Sequence, residues 1–285
     1  MSYKGIFFAL LAGFFFGLSP TFAKLSYDFG ANPAFAIFVR FFIASIVIVL
    51  PFFIIRKNFD LILEHIFPLL LISFGFISLT TGLLVSVNYI PVSLVAIIFY
   101  TYPLFVVIFA FFKGKKISIF QIIGFFVTFV GLIFALGPSF INMNLIGFFL
   151  ALLASFGASI ILITNDYLSK HFHAIIINTF INFTCCLIFS IIIFSSLEVN
   201  LPQSSVGWIC IIFSAVFYSI ALFFQLGAVE KIGSAPTSLL LYIEPIVAII
   251  SAIILLGESL TYVQIIGTSV VLLSLIVITR DLKKN

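Results

Sequence analysis

The sequence predicts an all-α integral membrane protein of about ten transmembrane helices, arranged as two inverted five-helix repeats. Three observations lead there. The first is composition. Of 285 residues 64% are hydrophobic and 8% are charged, and the mean hydropathy is +1.39. Soluble domains carry roughly 25% charged residues, so this chain has too few charges to cover a water-facing surface. The second is the length of the apolar runs. A helix needs about 20 apolar residues to cross a bilayer, and these runs reach that length without the short alternation of barrel strands. The third is duplication. Gln121-Ile122-Ile123-Gly124 recurs as Gln264-Ile265-Ile266-Gly267, and the prolines of Tyr100-Thr101-Tyr102-Pro103 and Tyr242-Ile243-Glu244-Pro245 occupy matched positions. A repeat on this scale means that the molecule is built twice.

Taken in order, the expected spans are residues 5–24, 34–55, 66–88, 92–112 and 117–136, then 145–165, 174–195, 205–229, 235–256 and 260–279. The first could pass for a signal peptide, since Lys4 precedes an apolar run and Thr21-Phe22-Ala23 loosely resembles a cleavage site. The repeat requires it as a helix. The second span follows a short turn over residues 28–33. The first repeat then occupies residues 1–140 and the second 141–285.

Positive charge fixes the orientation. With both termini cytoplasmic, the inner set is Lys4, Arg56, Lys57, Lys113, Lys115, Lys116, Lys170, Lys231, Arg280, Lys283 and Lys284. Lys24 and Arg40 remain outside or embedded. That is 11 of the 13 cations against 2. The localisation expected is a plasma or inner membrane, crossed many times. Each repeat holds an odd number of spans, so the second runs through the membrane upside down relative to the first. The loop Lys113-Gly114-Lys115-Lys116 lies inside and its counterpart Leu256-Gly257-Glu258-Ser259 outside. Inverted repeats of this kind are a signature of secondary transporters, with the substrate path near mid-membrane.

Several residues carry a family resemblance. They are Gly17 followed by Lys24 in the first span, Asn32-Pro33 with Arg40-Phe41-Phe42 and Ala44 in the second, and Tyr242-Ile243-Glu244-Pro245 with Gly257-Glu258 in the ninth. In order, spacing and duplication the chain resembles the EamA family of the drug/metabolite transporter (DMT) superfamily over nearly its whole length. The resemblance implies a ten-helix carrier of small metabolites, such as amino acids, nucleobases or related compounds, and often an exporter. Phe16 stands where that family often has Trp, and Lys115 stands where the second repeat has Glu258.

The embedded polar residues are the candidates for function. A carboxylate at mid-helix costs about 2.5–3.5 kcal/mol on insertion scales, less if it is protonated or paired. Glu244 shares a face with Thr237, Ala248 and Ser251, a small and polar stripe that points into a bundle rather than at lipid. It either exchanges a proton or pairs a cation at the cavity, or it is a neutral acid bonded to a neighbouring helix. Lys24 and Arg40 lie near the outer boundary. They either snorkel to the interface or form a positive outer mouth for an anionic substrate. Pro20, Pro103 and Pro245 each lack a donor and free the carbonyl four residues earlier, as hinges or as static bends. Asn88, Tyr100, Tyr102, Tyr218, Gln225 and Tyr242 are candidate cavity lining. Tyr89 and Trp208 fit interfacial anchors. Gly13 and Gly17 make a close-packing motif that serves a homodimer or the packing of a monomer equally well.

Other chemistries find little support. Cys185, Cys186 and Cys210 lie within spans and act as small hydrophobes. His65, His171 and His173 are too sparse for a metal site. No phosphate-binding Gly-Lys-Ser/Thr word appears, and there is no nucleophile–base pair. The expectation is a secondary carrier, not an enzyme, with no cofactor or metal and no nucleic-acid partner. Its partners are a small-molecule substrate, the lipid bilayer and, in one reading of Glu244, a coupling proton. The rival readings are an intramembrane lipid-modifying enzyme and a passive channel.

Overall fold

The computed structural model describes residues 2–54, 59–86, 88–114, 118–137, 144–196, 199–256 and 261–284. The described elements are all helical. In the first half they are α1 (Tyr3–Asp28), α2 (Pro33–Ile54), α3 (Phe59–Glu64), α4 (Ile66–Ser86), α5 (Val92–Phe99), α6 (Tyr102–Phe112) and α7 (Ile119–Leu136). In the second they are α8 (Leu145–Leu168), α9 (Ala174–Ser196), α10 (Ser205–Ile232), α11 (Ser234–Leu240), α12 (Ile243–Leu256) and α13 (Tyr262–Lys284). Among the described residues nine apolar stretches are long enough to cross a bilayer, and a shorter one lies at 33–47 in α2. Large apolar side chains such as Phe7, Phe74, Phe126, Phe194 and Ile254 cover the outside, as a lipid-facing surface requires. Arg56, Lys57, Lys115, Lys116, Gly257 and Glu258 lie outside the described residues.

The fourth and ninth expected spans are each two helices. α5 gives way to α6 at Tyr100-Thr101, and α11 to α12 at Leu241-Tyr242. Proline explains both positions. Pro103 occupies the first turn of α6, where a missing N–H costs nothing because that turn has no carbonyl to bond. Before Pro245, the Leu241 carbonyl accepts the Glu244 N–H at 2.9 Å, a tighter turn than the helical ladder. The Thr101 hydroxyl likewise donates to the Ile98 carbonyl at 2.7 Å. Side chains and tightened turns thus satisfy the backbone that the breaks release, which is the condition for irregular backbone at membrane depth.

The two halves meet through a twofold pattern of contacts. α1 packs on α10 and, in the mirrored relation, α8 packs on α4; α2 pairs with α9 and α7 with α13. The neighbours run antiparallel. A Cβ on Gly5 would lie 2.5 Å from Ile232, at the end of α10, and one on Gly207, at its start, would lie 2.7 Å from the Phe29 side chain. One end of the bundle therefore carries both chain termini, and the other carries the turns at Phe29 and Tyr89.

Small residues let the backbones close. On α1, a Cβ at Gly17 would sit 2.5 Å from the Glu244 carbonyl oxygen, and one at Gly13 would sit 2.3 Å from Ile243. The Gly13/Gly17 motif is thus occupied within the monomer, holding α1 against the start of α12. Gly131 and Gly267 do the same between α7 and α13, where a Cβ on Gly267 would meet the Ala135 nitrogen at 2.3 Å. Buried hydroxyls add cross-links. Ser19 donates to the Ser214 carbonyl at 2.9 Å and Ser214 to the Ser19 carbonyl at 2.8 Å, joining α1 to α10. Thr128 donates to Ser274 at 2.8 Å and Ser274 to the Gly124 carbonyl at 3.0 Å, joining α7 to α13.

Candidate functional site

The two broken helices touch where the halves cross. Tyr242, fully buried, donates its hydroxyl to the Tyr100 carbonyl at 2.8 Å, and the two rings lie 6.0 Å apart. A carbonyl at a helix break has lost its ladder partner, so a phenol from the matching break supplies one. Across from them, Ser159 of α8 donates to the Tyr102 carbonyl at 3.2 Å, and Thr101 shares a hydrogen bond with Ser155 at 2.9 Å. The breaks are therefore fixed by the opposite repeat: α8 holds the first and α1 the second.

A cavity of about 510 Å³ lies beside this crossing. It is bounded at its base by Tyr100, Tyr102, Leu241 and Glu244, and continues past Pro20, Thr80, Leu83, Leu136 and Ala252 to Val92. Val92 is 69% exposed, so the cavity reaches the surface at the end away from the termini. Toward the termini the path is filled. Ile6, Ala9, Val106, Val229, Leu239, Leu240 and Ile278 form one buried apolar cluster there. The volume falls within the usual range of small-molecule sites, and so does the character, an apolar wall with few polar groups.

Glu244 supplies the carboxylate of this wall. It sits in the first turn of α12, where unpaired N–H groups and the helix dipole favour negative charge. The Tyr100 side chain lines the cavity with it and interacts with it electrostatically. Its counterpart in the first repeat is Tyr102, the residue before Pro103, so the two repeats put a carboxylate and a phenol at matched places. Arg40 lines the same cavity from α2. Its guanidinium carbon lies 5.0 Å from the centre of the Tyr218 ring. Phe16 and Phe41 hold that ring edge-on, at 6.0 and 5.6 Å. Gln225 stands two turns along α10 and also faces the cavity.

The candidates thus divide. Tyr100, Tyr102, Tyr218, Gln225, Glu244, Arg40, Pro20 and Pro245 line one cavity. Tyr242 and Pro103 are buried behind it at the crossing. Asn88 and Lys24 are exposed at the end away from the termini, apart from the cavity lining. Arg40 is deeper than its place near a span boundary implies. Seven residues into α2, at 1.5 Å per residue, it lies about 10 Å below the helix end. Sequence reasoning did not single out Ser19, Phe76, Thr80 or Ile161, which also face the cavity. Only Ser19 and Thr80 carried a signal, as hydroxyls inside apolar runs.

Comparison with known proteins gives consistent matches. The model of the EamA-like transporter family matches residues 3–137 and again 145–280. An uncharacterized transporter of Bacillus subtilis, YetK, is 27% identical over 246 residues, covering 82% of this chain and 74% of its own. An uncharacterized transporter of Clostridium kluyveri is 24% identical over 300 residues, covering 99% and 94%. A solved crystal structure superposes with a TM-score of 0.80 at 16% identity, over 96% of this chain and 98% of that one, which is a likeness of fold.

Proposed function

The chain belongs to the EamA-like transporter family of the drug/metabolite transporter superfamily, and on that premise we propose that it is a secondary carrier. It moves small metabolites of the size and polarity of amino acids or nucleobases, outward across a plasma or inner membrane, with both termini in the cytoplasm. The single observation that carries this reading is the cavity at the crossing of the two broken helices, with Glu244 at its base and the path to the termini filled by packed side chains. In that topology the described conformation faces outward. Rocking of the two halves about the crossing would close the outer path and open the inner one, since matched breaks are the places where the same packing exists twice.

Proton exchange at Glu244 is the coupling this reading favours. A carboxylate at a cavity base is reached by water from the open side and contacts a phenol on the other. The experiment is counterflow in liposomes holding the purified protein. Vesicles preloaded with unlabelled leucine, phenylalanine and uracil are given the labelled compounds outside. A carrier accelerates uptake of its substrate when that same compound is present in trans. Flux that ignores the trans solute indicates a channel, and chemical conversion without translocation indicates an enzyme.

A further inference from the structure

Resting on the carrier reading, we infer that Arg40 and Tyr218 form an anion subsite that takes the carboxylate of an organic acid whose apolar body occupies the rest of the cavity. Two orphaned donors meet there. The Arg40 Nε is buried without a hydrogen-bond partner, and so is the Tyr218 hydroxyl. Tyr218 is 5% exposed and both residues line the cavity. A buried N–H or O–H left unpaired costs roughly 1–3 kcal/mol, more for a charged group, so two of them on one wall describe a site waiting for an acceptor.

The geometry also says which acceptor. The guanidinium carbon lies 5.0 Å from the phenol ring centre and the Nε has no partner, and the fork of an arginine matches a planar, two-oxygen acceptor. Among the described residues no carboxylate lies within ion-pair distance of Arg40; Glu244, which lines the same cavity, acts on it only at longer range. Phe16 and Phe41 fix the ring that orients the pair. The rest of the lining, with Phe76, Leu79 and Leu162, offers apolar surface and no second cation. An acid with a hydrophobic body satisfies both, whereas a cation of the same shape meets Arg40 as a like charge.

The test uses 3-phenylpropionate, its methyl ester and phenethylamine, with affinities measured on the intact protein in detergent. The acid should bind at least about tenfold more tightly than the ester, the size of a hydrogen bond to a charged group. Tyr218→Phe keeps the ring under Arg40 and should lower that preference about tenfold. Arg40→Lys keeps the charge but loses the fork and should lower it as well, and Arg40→Gln should erase it. Equal binding of acid and ester by the wild type, failure of the acid to bind at millimolar concentration, or an unchanged preference in Tyr218→Phe and Arg40→Lys each overturns the subsite. Counterflow of the leucine, phenylalanine and uracil mixture separates this from the carrier reading. Counterflow without an acid preference removes the subsite alone, and an acid preference without counterflow removes the carrier alone.

Discussion

Glu244 and Arg40 both line a mostly apolar cavity, and their placement bears on what the molecule can bind. Glu244→Gln keeps the shape and removes the charge. If the carboxylate exchanges a proton or pairs a cation, the variant loses counterflow while its unfolding temperature stays within a few degrees of wild type. Wild-type counterflow would take Glu244 out of the mechanism. Tyr242 has a different part. Its hydroxyl occupies the carbonyl of Tyr100 at the crossing, so Tyr242→Phe orphans a buried acceptor and should cost about 1–3 kcal/mol, read as a fall in thermal stability. Unchanged stability would mean that the crossing is held by packing alone. Glu244 was legible in the sequence because a carboxylate in an apolar run is costly. The partner of Tyr242 was not, because rotation about a helix break decides which tyrosine faces the cavity and which faces its twin.

At the scale of elements, the two breaks separate hinge from bend. Pro103→Ala and Pro245→Ala each restore a backbone donor. If the breaks are hinges, the double variant turns over more slowly with unchanged substrate affinity; equal turnover identifies static bends. The close approach of α1 to α12 rests on Gly17. A Cβ there would lie 2.5 Å from the Glu244 carbonyl oxygen, and backbone cannot yield as a flexible side chain can. Gly17→Val should therefore destabilise by at least the 1–3 kcal/mol typical of overpacking, checked by thermal unfolding in detergent. A neutral result would mean that α1 and α12 separate freely. Hydropathy gave the spans at 92–112 and 235–256 as single runs, because it averages over a break of two residues. Only the matched prolines marked them. The Gly13/Gly17 spacing, open between dimer and monomer in the sequence, is spent on α12.

For the molecule as a whole, inversion was legible from the duplication, the odd span count and the charges together. The twofold contacts of α1 with α10 and of α4 with α8 have the arrangement that such inversion requires. Which way the cavity opens was not legible, since two repeats of one pattern are compatible with either side, and small differences in packing choose between them. In this structure the apolar cluster around Ile6, Val229 and Ile278 closes the end with the termini. A reporter fused after Asn285 should be active only in the cytoplasm, and activity only on the other side would reverse the direction of every step above.

Alternating access about the crossing is tested most directly by cysteine accessibility at Ala248. This residue lines the cavity beyond Glu244. In a background with Cys185, Cys186 and Cys210 replaced by alanine, Ala248→Cys is treated with a membrane-impermeant thiol reagent, first on right-side-out and then on inside-out vesicles. Alternating access predicts modification from both sides, with the faster reaction from the side away from the termini, where the cavity opens. Modification from one side only, however long the exposure, would contradict it.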